Sequence, residues 1–331
     1  MIGHSLSMRR VMGLIERAAQ SKIPVLIFGE TGTGKEITAK KVHELSGRKG
    51  PFVPINCAGF SPSLIEAELF GHEKGSFTGA DRRHEGVFEQ ANAGTLFLDE
   101  ITEMPAEAQA KLLRVLEGSR VRRLGGKEKI AVDVRFIVAS NRPLHVAVRE
   151  GRLRADLRFR LEGLRIQLPP LRSRREELPT LVGRFIEEAN QEQGKNVQGA
   201  DEEYLQALRR YRWPGNIREL KHVVALGVVL CEARNLSPDN LPDHIATSAA
   251  RDDSFTADLG SPLDDILREY VWRTVRFAGG NKEHAAEILG VSRGTLYKYL
   301  ARYEERRAVG SLHADGNGNG RHYPDDDSEI S

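Results

Sequence analysis

The feature that most constrains the fold is a glycine-rich segment, GETGTGKE at residues 29–36, which directly follows the apolar run PVLIF at residues 24–28. Its glycines let the backbone turn so that amide groups face inward, and a helix that starts there points the positive end of its dipole at the same place. The spacing G-x-x-x-x-G-K is typical of a loop that binds nucleotide phosphates, with Lys35 reaching the β and γ phosphates. The alternative is a glycine-rich turn that only caps a helix.

Short apolar runs alternate with helical patterns in the first half of the chain. These runs are PVLIF (24–28), TLFLD (95–99), VRFIVAS (134–140) and LRIQL (164–168). Buried strands that alternate with helices are typical of an α/β fold with a doubly wound parallel sheet. The pair Pro169-Pro170 ends the pattern, because proline has no amide donor for a continuing strand or helix.

Composition divides the chain into five parts. We predict an α/β unit at 1–168, a helical unit at 169–246, a Ser/Asp/Ala/Gly-rich linker at 247–261, a small all-α unit at 262–307 and a Gly/Asn/Asp-rich tail at 308–331. The tail has too little apolar surface to offset the entropy of ordering it, so we expect it to be disordered.

Charge and cysteine content exclude several classes of protein. Lys and Arg number 49 against 47 Asp and Glu, a net charge of +2, so any contact with nucleic acid must be local. The longest nearly apolar run, residues 223–231, is too short to span a bilayer, and the first ten residues contain no apolar signal core. Cys57 and Cys231 are far apart and outside any C-x-x-C pattern, so the sequence supports neither a disulfide framework nor a zinc site. We therefore expect a cytoplasmic protein with no membrane partner.

Two adjacent carboxylates lie at the end of the run TLFLD: Asp99 is its last residue and Glu100 follows it. In a parallel sheet the carboxyl ends of the strands lie beside the ligand crevice. There Asp99 would hold Mg²⁺ and Glu100 would orient or deprotonate an attacking water, which predicts ATP hydrolysis. The alternative is two acids at a solvated strand end.

These motifs are more specific than those of a generic ATPase. The segment ELFGHEKGSFTGA, residues 68–80, resembles the signature insertion of the sigma-54-dependent transcriptional activators, bacterial enhancer-binding proteins of the AAA+ class. The loop GETGTGKE is similar to that family's phosphate loop, including Glu36 where most phosphate loops have Ser or Thr. The resemblance covers about residues 2–245 and implies a P-loop AAA+ domain with a helical lid.

The resemblance also implies the residues of an ATP and Mg²⁺ site. It assigns ATP contacts to Gly29, Glu30, Thr31, Gly32, Thr33, Gly34, Lys35, Glu36, Asn141 and Arg218, and catalytic roles to Lys35, Asn56, Asp99, Glu100, Arg154 and Arg160. In this family the asparagine at position 56 restrains the catalytic glutamate. Ser140-Asn141 match the first sensor, and Arg218 in WPGNIREL matches the second. Without the family, that segment would be a turn with Asn216 capping a helix.

The segment LRADLRFRL, residues 153–161, resembles the family's motif with two arginines that act on a neighbouring subunit. Arg154 and Arg160 fall at those positions, and a forked, permanently charged guanidinium suits a transition-state γ-phosphate. The alternative is a solvated basic face that also includes Arg152 and Arg158.

The family's remodelling loop contacts sigma-54 and matches Gly75, Ser76, Phe77, Thr78, Gly79 and Ala80. Ser76 replaces the usual alanine. Flanking glycines permit hinge-like changes, and an exposed Phe77 would be an anchor for a partner's pocket. The alternative is a phenylalanine packed under its own loop.

Residues 279–300 form a helix-turn-helix candidate, with Gly290 at the turn, Ser292 as a cap, and Leu296 and Leu300 facing inward. Residues 292–307 carry five basic and two acidic side chains, a local excess of +3 that suits phosphate contact. A helical hairpin for dimerisation is the alternative. The segment resembles the Fis-type DNA-binding domain, which implies DNA contacts at Asn281, Ser292, Arg293, Thr295 and Lys298, and a dimer interface on the helix at about residues 263–277.

Together these features predict an ATP-driven activator that binds enhancer DNA, assembles from dimers into a hexameric ring and opens promoter complexes of sigma-54 RNA polymerase. Because no sensory domain precedes the ATPase domain, as in phage-shock-type activators, we expect control by a regulatory protein acting in trans or by expression level. The rival interpretations are a DNA-binding repressor with a vestigial ATPase domain and an AAA+ chaperone or unfoldase.

Overall fold

The computed structural model describes residues 5–77, 80–248, 257 and 260–301. Thr78 and Gly79 of the predicted sigma-54 loop, most of the predicted linker, the end of the helix-turn-helix unit and the predicted disordered tail lie outside the described residues. The chain divides into two compact units, residues 1–249 and 250–331.

The first unit is built on a parallel sheet of five strands: β1 Val25–Phe28, β2 Phe52–Asn56, β3 Thr95–Asp99, β6 Arg135–Ser140 and β7 Leu164–Gln167. Their order in the sheet is β2-β3-β6-β1-β7. The short strands β4 Arg120–Val121 and β5 Ile130–Ala131 pair separately and antiparallel. This arrangement confirms the predicted doubly wound parallel sheet.

Helices cover both faces of the sheet. They are α1 Leu6–Gln20, α2 Lys35–Leu45, α3 Pro62–Phe70, α4 Val87–Gln90, α5 Ala106–Gly118, α6 Leu144–Arg149 and α7 Ala155–Leu161. Strand alternation divides the core: Phe97 packs with α1 and α2, whereas its neighbours Leu96 and Leu98 pack on the opposite face with α3 and α5. Parallel sheets occur almost only with both faces covered in this way.

One strand of this five-stranded sheet, β2, is not predicted by the sequence, because its residues, FVPIN, lack a continuous apolar run. It lies at the edge of the sheet, where Pro54 removes one donor without breaking a central ladder. Its register places Asn56 directly opposite Asp99. The edge position therefore brings a predicted site residue beside the end of β3.

The helical lid follows the sheet within the same unit. It contains α8 Leu178–Gln193, α9 Glu202–Arg210, α10 Asn216–Leu230 and α11 Asp243–Ser248, with the short strands β8 Gly199–Ala200 and β9 Asn235–Leu236. Trp213 and Tyr204 are fully buried in its core, and the indole of Trp213 donates to the Leu208 carbonyl at 2.9 Å. The lid therefore has its own hydrophobic centre.

The second unit contains α12 Leu263–Phe277, α13 Lys282–Leu289 and a helix, α14, at residues 293–301. Ala285, Ala286, Leu296 and Leu300 are buried together, as a close-packed helix-turn-helix requires. Within the described ranges, none of the helices is both long enough and apolar enough to cross a membrane.

Candidate nucleotide site and partner surfaces

The phosphate loop connects the end of β1 to the start of α2. Gly32 and Gly34 have φ angles of +79° and +99°, which an L side chain rarely adopts. The Gly29 amide donates to the Ser140 carbonyl at 3.2 Å and so joins the loop to the end of β6. Lys35 opens α2 with a buried side chain, at the position where backbone amides and the helix dipole favour an anion.

Lys35 and the carboxylates after β3 lie together at this edge of the sheet. Lys35 Nζ is 3.4 Å from Glu100 Oε1 and 3.3 Å from the Gly29 carbonyl oxygen. Glu100 has a φ of +51°, and its amide donates to Asp99 Oδ1 at 3.0 Å, so a strained backbone aims its side chain across the crevice. The structure thus brings together Lys35, Asp99 and Glu100, which sequence analysis placed in one site.

The carboxylates suit a magnesium ion. Glu100 Oε2 is buried and has no hydrogen-bond partner among the described residues. Hard carboxylate oxygens are the ligands that Mg²⁺ prefers, and Mg²⁺ usually takes one or two of them and completes its shell with water and phosphate. The described part of the chain contains no group of three or more His, Cys, Asp or Glu that could hold a metal by itself.

Asn56 and Asn141 lie near this edge with exposed side chains. Asn56 Oδ1 accepts from the Ala58 amide at 3.0 Å, which caps the short helical turn at Cys57–Gly59. Glu100 is bonded to Lys35 rather than to Asn56, and the restraint of Glu100 by Asn56 stays a prediction. Asn141 directly follows Ser140, the residue that holds the phosphate loop.

The lid packs directly on the phosphate loop. The Ile217 amide donates to the Gly32 carbonyl at 2.9 Å, and the fully buried Asn216 donates to the Thr31 carbonyl at 3.0 Å. Arg172 forms a two-pronged ion pair with Glu30, at 2.7 and 2.6 Å. These hydrogen bonds from Arg172 lower the pKa of Glu30, so the carboxylate stays charged.

The predicted sigma-54 loop is closed at its base by two backbone hydrogen bonds. Gly75 N–H donates to the Ala80 carbonyl at 2.8 Å, and Ala80 N–H donates to the Phe77 carbonyl at 3.1 Å. The Phe77 ring lies 4.9 Å from the His72 ring, edge to face, yet remains 47 % exposed. Phe77 is therefore neither buried under its own loop nor free of it. Ser76 is partly buried beside Gly125, and its hydroxyl has no partner among the described residues.

Four of the predicted DNA-contacting residues lie at the helix starts of the second unit, and the fifth, Lys298, lies in the second turn of α14. Asn281 Oδ1 accepts from the Glu283 and His284 amides and caps α13, and Ser292 Oγ accepts from the Thr295 amide and caps α14. Arg293 and Lys298 are exposed, and Arg293 is 2.5 Å from Glu283. Asn281 and Ser292 therefore have structural roles as caps, and their contacts with DNA stay predictions.

The matches to known protein families follow the division of the chain into α/β part, lid and helix-turn-helix. Three family profiles match: the sigma-54 interaction domain at residues 1–167, the AAA+ ATPase lid domain at 172–258, and the Fis family of bacterial regulatory proteins at 273–303. The transcriptional regulatory protein ZraR of Klebsiella oxytoca is 43% identical over 303 residues, which cover 91% of this chain and 68% of ZraR. The chain belongs to the sigma-54-dependent transcriptional activators.

Another transcriptional regulator and a solved structure match a similar share of the chain. The DNA-binding transcriptional regulator NtrC of Klebsiella pneumoniae is 40% identical, with 90% of this chain and 69% of NtrC covered. The crystal structure of NtrX from Brucella abortus in complex with ATP matches with a TM-score of 0.67 and 33% identity over 91% of this chain and 68% of NtrX. The chain is thus an AAA+ family member with a Fis-type helix-turn-helix, as predicted.

In this activator the two predicted trans-acting arginines lie on the surface of α7 and at its start. Arg154 makes a two-pronged contact with Asp156, at 3.1 and 2.8 Å, and Arg160 lies 3.3 Å from Glu117. Both guanidiniums bond to surface carboxylates rather than to the phosphate loop of their own chain. Surface pairs of this kind are weak, so they can be exchanged for a stronger anion.

Arg172, Arg174 and the polar contacts of Asn216 are functional features of the site that the sequence did not predict. Asn216 has a φ of +51°, and its carboxamide turns back onto the phosphate loop instead of capping its own helix. The signal was the Asn in WPGN, since Asn tolerates the left-handed region better than most residues. The two arginines gave no signal, because a charged segment after Pro170 is usually a solvated turn. Arg218, which was predicted, lies at the lid face that touches Gly32.

Proposed function

We propose that this activator binds enhancer DNA through its second unit and uses ATP hydrolysis to convert a closed sigma-54 RNA polymerase promoter complex into an open one. The observation that supports the proposal is the convergence of Lys35, Asp99 and Glu100 on the phosphate loop. The same compact unit also presents the half-exposed Phe77. The unit therefore combines a site for hydrolysis with a surface for a partner.

Lys35 and Glu100 would divide the work of hydrolysis. Lys35 is buried and 3.4 Å from Glu100, so its ammonium can move from the carboxylate to the β and γ phosphates when nucleotide binds. Glu100, released from Lys35, would then accept a proton from the attacking water. Bound Mg²⁺, held by Asp99, would supply charge stabilisation on the phosphate oxygens.

A neighbouring subunit would complete the site in a ring of identical chains. Arg154 or Arg160 of one chain would leave its surface carboxylate and pair with the γ-phosphate held by the next chain. Asn141, just after β6, and Arg218, in the first turn of α10, would report the state of that phosphate to the sheet and the lid. Hydrolysis would then depend on assembly.

Movement of the sigma-54 loop would transmit the effect of ATP hydrolysis to sigma-54. Gly75, with a φ of +81°, would act as a hinge at the base of the loop, which two backbone hydrogen bonds close. Phe77 would insert into a pocket of sigma-54, since an exposed aromatic side chain is a common interface anchor. Thr78 and Gly79, outside the described residues, would extend that contact.

The test is open-complex formation by the purified full chain with sigma-54 polymerase on supercoiled promoter DNA, in ATP or a non-hydrolysable analogue. We expect wild type to open the promoter in ATP only. Glu100→Gln should bind ATP and fail to open the promoter, whereas the control Glu103→Gln, three residues on and exposed, should be active. Phe77→Ala should hydrolyse ATP without opening the promoter, with Leu45→Ala as the exposed apolar control.

Opening by Glu100→Gln would contradict the proposal. Opening by Phe77→Ala would instead favour a protein that acts through DNA alone.

A further inference from the structure

Three consecutive carbonyl groups of the phosphate loop accept hydrogen bonds from the lid and the segment that leads into it. The donors are Asn216 Nδ2 to Thr31 at 3.0 Å, the Ile217 amide to Gly32 at 2.9 Å and Arg174 Nη2 to Thr33 at 3.1 Å. All three distances are within the range of good hydrogen bonds. One face of the loop is therefore held by the lid along three successive peptide units.

These bonds determine where the amides of the loop point. A trans peptide unit is planar, and its N–H points opposite to its C=O. With the carbonyls of residues 31, 32 and 33 turned toward the lid, the amides of Gly32, Thr33 and Gly34 turn away from it. Thr33 N–H bonds weakly to the Glu30 carbonyl at 3.3 Å, and no described residue accepts from the amides of Gly32 or Gly34. Those two amides are oriented for an anion.

The donors are themselves held firmly. Asn216 is fully buried; its Oδ1 accepts from the Leu171 amide at 2.8 Å and its Nδ2 also reaches Glu30 at 3.2 Å. Arg174 is buried beside Glu177, 3.6 Å away. Arg172 adds the ion pair with Glu30. The lid and the segment that leads into it therefore contact four successive residues of the loop, Glu30 to Thr33.

We propose that Asn216, Arg174 and Arg172 are positioning residues for phosphate binding: Asn216 and Arg174 hold the carbonyls of the loop, Arg172 holds the Glu30 carboxylate, and together they aim the amides of the loop at the nucleotide. The inference rests on the proposed nucleotide site and concerns binding alone. It makes phosphate affinity depend on the position of the lid, because a retreat of about one ångström lengthens all three bonds beyond useful range.

The experiment measures competition of ADP and of adenosine, which has no phosphate, against a fluorescent ADP analogue on the full chain. Asn216→Asp keeps the acceptor for Leu171 and loses the donor, and Asn216→Ala loses the donor without adding a charge. Arg172→Gln removes the exposed ion pair. Arg184→Gln is the matched control, since its pair with Glu188 lies on α8 away from the loop.

We expect both Asn216 variants to bind ADP about tenfold more weakly than wild type, which is the size of effect that the loss of one hydrogen bond produces. Both variants should bind adenosine as wild type does. Arg172→Gln should lose about threefold, because its pair is partly exposed. Arg184→Gln should leave both affinities unchanged.

An unchanged ratio of adenosine to ADP affinity in the variants would overturn the inference, as would a loss confined to Asn216→Asp, since that would be the effect of the added carboxylate. If Asn216→Ala does not fold, Arg172→Gln decides by itself. A wild-type chain that binds ADP but fails to open promoters would refute the proposed function and leave this inference standing.

Discussion

Replacing Gly32 by alanine tests the contact between loop and lid most directly. A Cβ on Gly32 would lie 2.2 Å from the Gly215 carbonyl oxygen of the lid, a distance that real side chains do not tolerate. The lid must therefore withdraw by about one ångström, and the bonds from Ile217 to Gly32 and from Asn216 to Thr31 lengthen with it.

The magnitude follows from these contacts. Each of the two hydrogen bonds contributes about 1 kcal/mol to the free energy of unfolding. The positive φ of Gly32 adds about 1–2 kcal/mol of backbone strain for alanine. Gly34→Ala is the matched control, because Gly34 also has a positive φ but the nearest atom to its Cβ would be Ile217 Cδ1 at 3.9 Å. We expect Gly32→Ala to lose about 3–4 kcal/mol and Gly34→Ala about 1–2 kcal/mol.

The assay is urea unfolding of the full chain without nucleotide, followed by tryptophan fluorescence. The chain has two tryptophans, and Trp272→Phe leaves the fully buried Trp213 as the single reporter of the lid. Equal losses of stability in the two alanine variants would refute the reasoning, because the lid contact would then contribute nothing beyond backbone strain.

Three further results are expected. Arg172 lowers the pKa of Glu30 in the folded chain, so the ion pair stabilises the lid at neutral pH, and this stabilisation is lost as the pH falls through the lowered pKa. Urea unfolding measured from pH 7 to pH 3 should show this loss of unfolding free energy, and Glu30→Gln should remove it. Burial raises the pKa of the Cys57 thiol to about 12, so iodoacetamide at pH 8 should label Cys57 only after unfolding, and labelling of the native chain would contradict its burial. Arg160→Ala and Glu100→Gln chains should each be inactive in ATP hydrolysis. A mixture of the two should recover part of the ATPase rate, because some subunit junctions then combine an intact Glu100 from one chain with an intact Arg160 from the other. A mixture with no recovery argues against a trans role for Arg160.

Much of the nucleotide site could be predicted because its residues are sequence neighbours of strands. The loop at residues 29–36 and the Asp99-Glu100 pair each follow a buried apolar run, and parallel strands bring such ends to one edge. Strand β2 could not be predicted in this way, because an edge strand needs only one buried face and its sequence includes Pro54. The capping roles of Ser292 and the buried Leu296 and Leu300 followed from local spacing in the same way.

The sequence by itself determined four of the five strands of the sheet and the types of residue that reach the crevice, because periodicity, glycine spacing and capping act over a few residues. Only the tertiary structure decided which groups touch: Lys35 on Glu100, Asn216 on Thr31, and Arg172 on Glu30 across 142 residues of chain. The contacts of Asn216 and Arg172 depend on how the lid packs on the phosphate loop, and the contact of Lys35 with Glu100 depends on how β1 and β3 lie in the sheet. Both arrangements are set by packing of the whole unit rather than by a local pattern in the sequence.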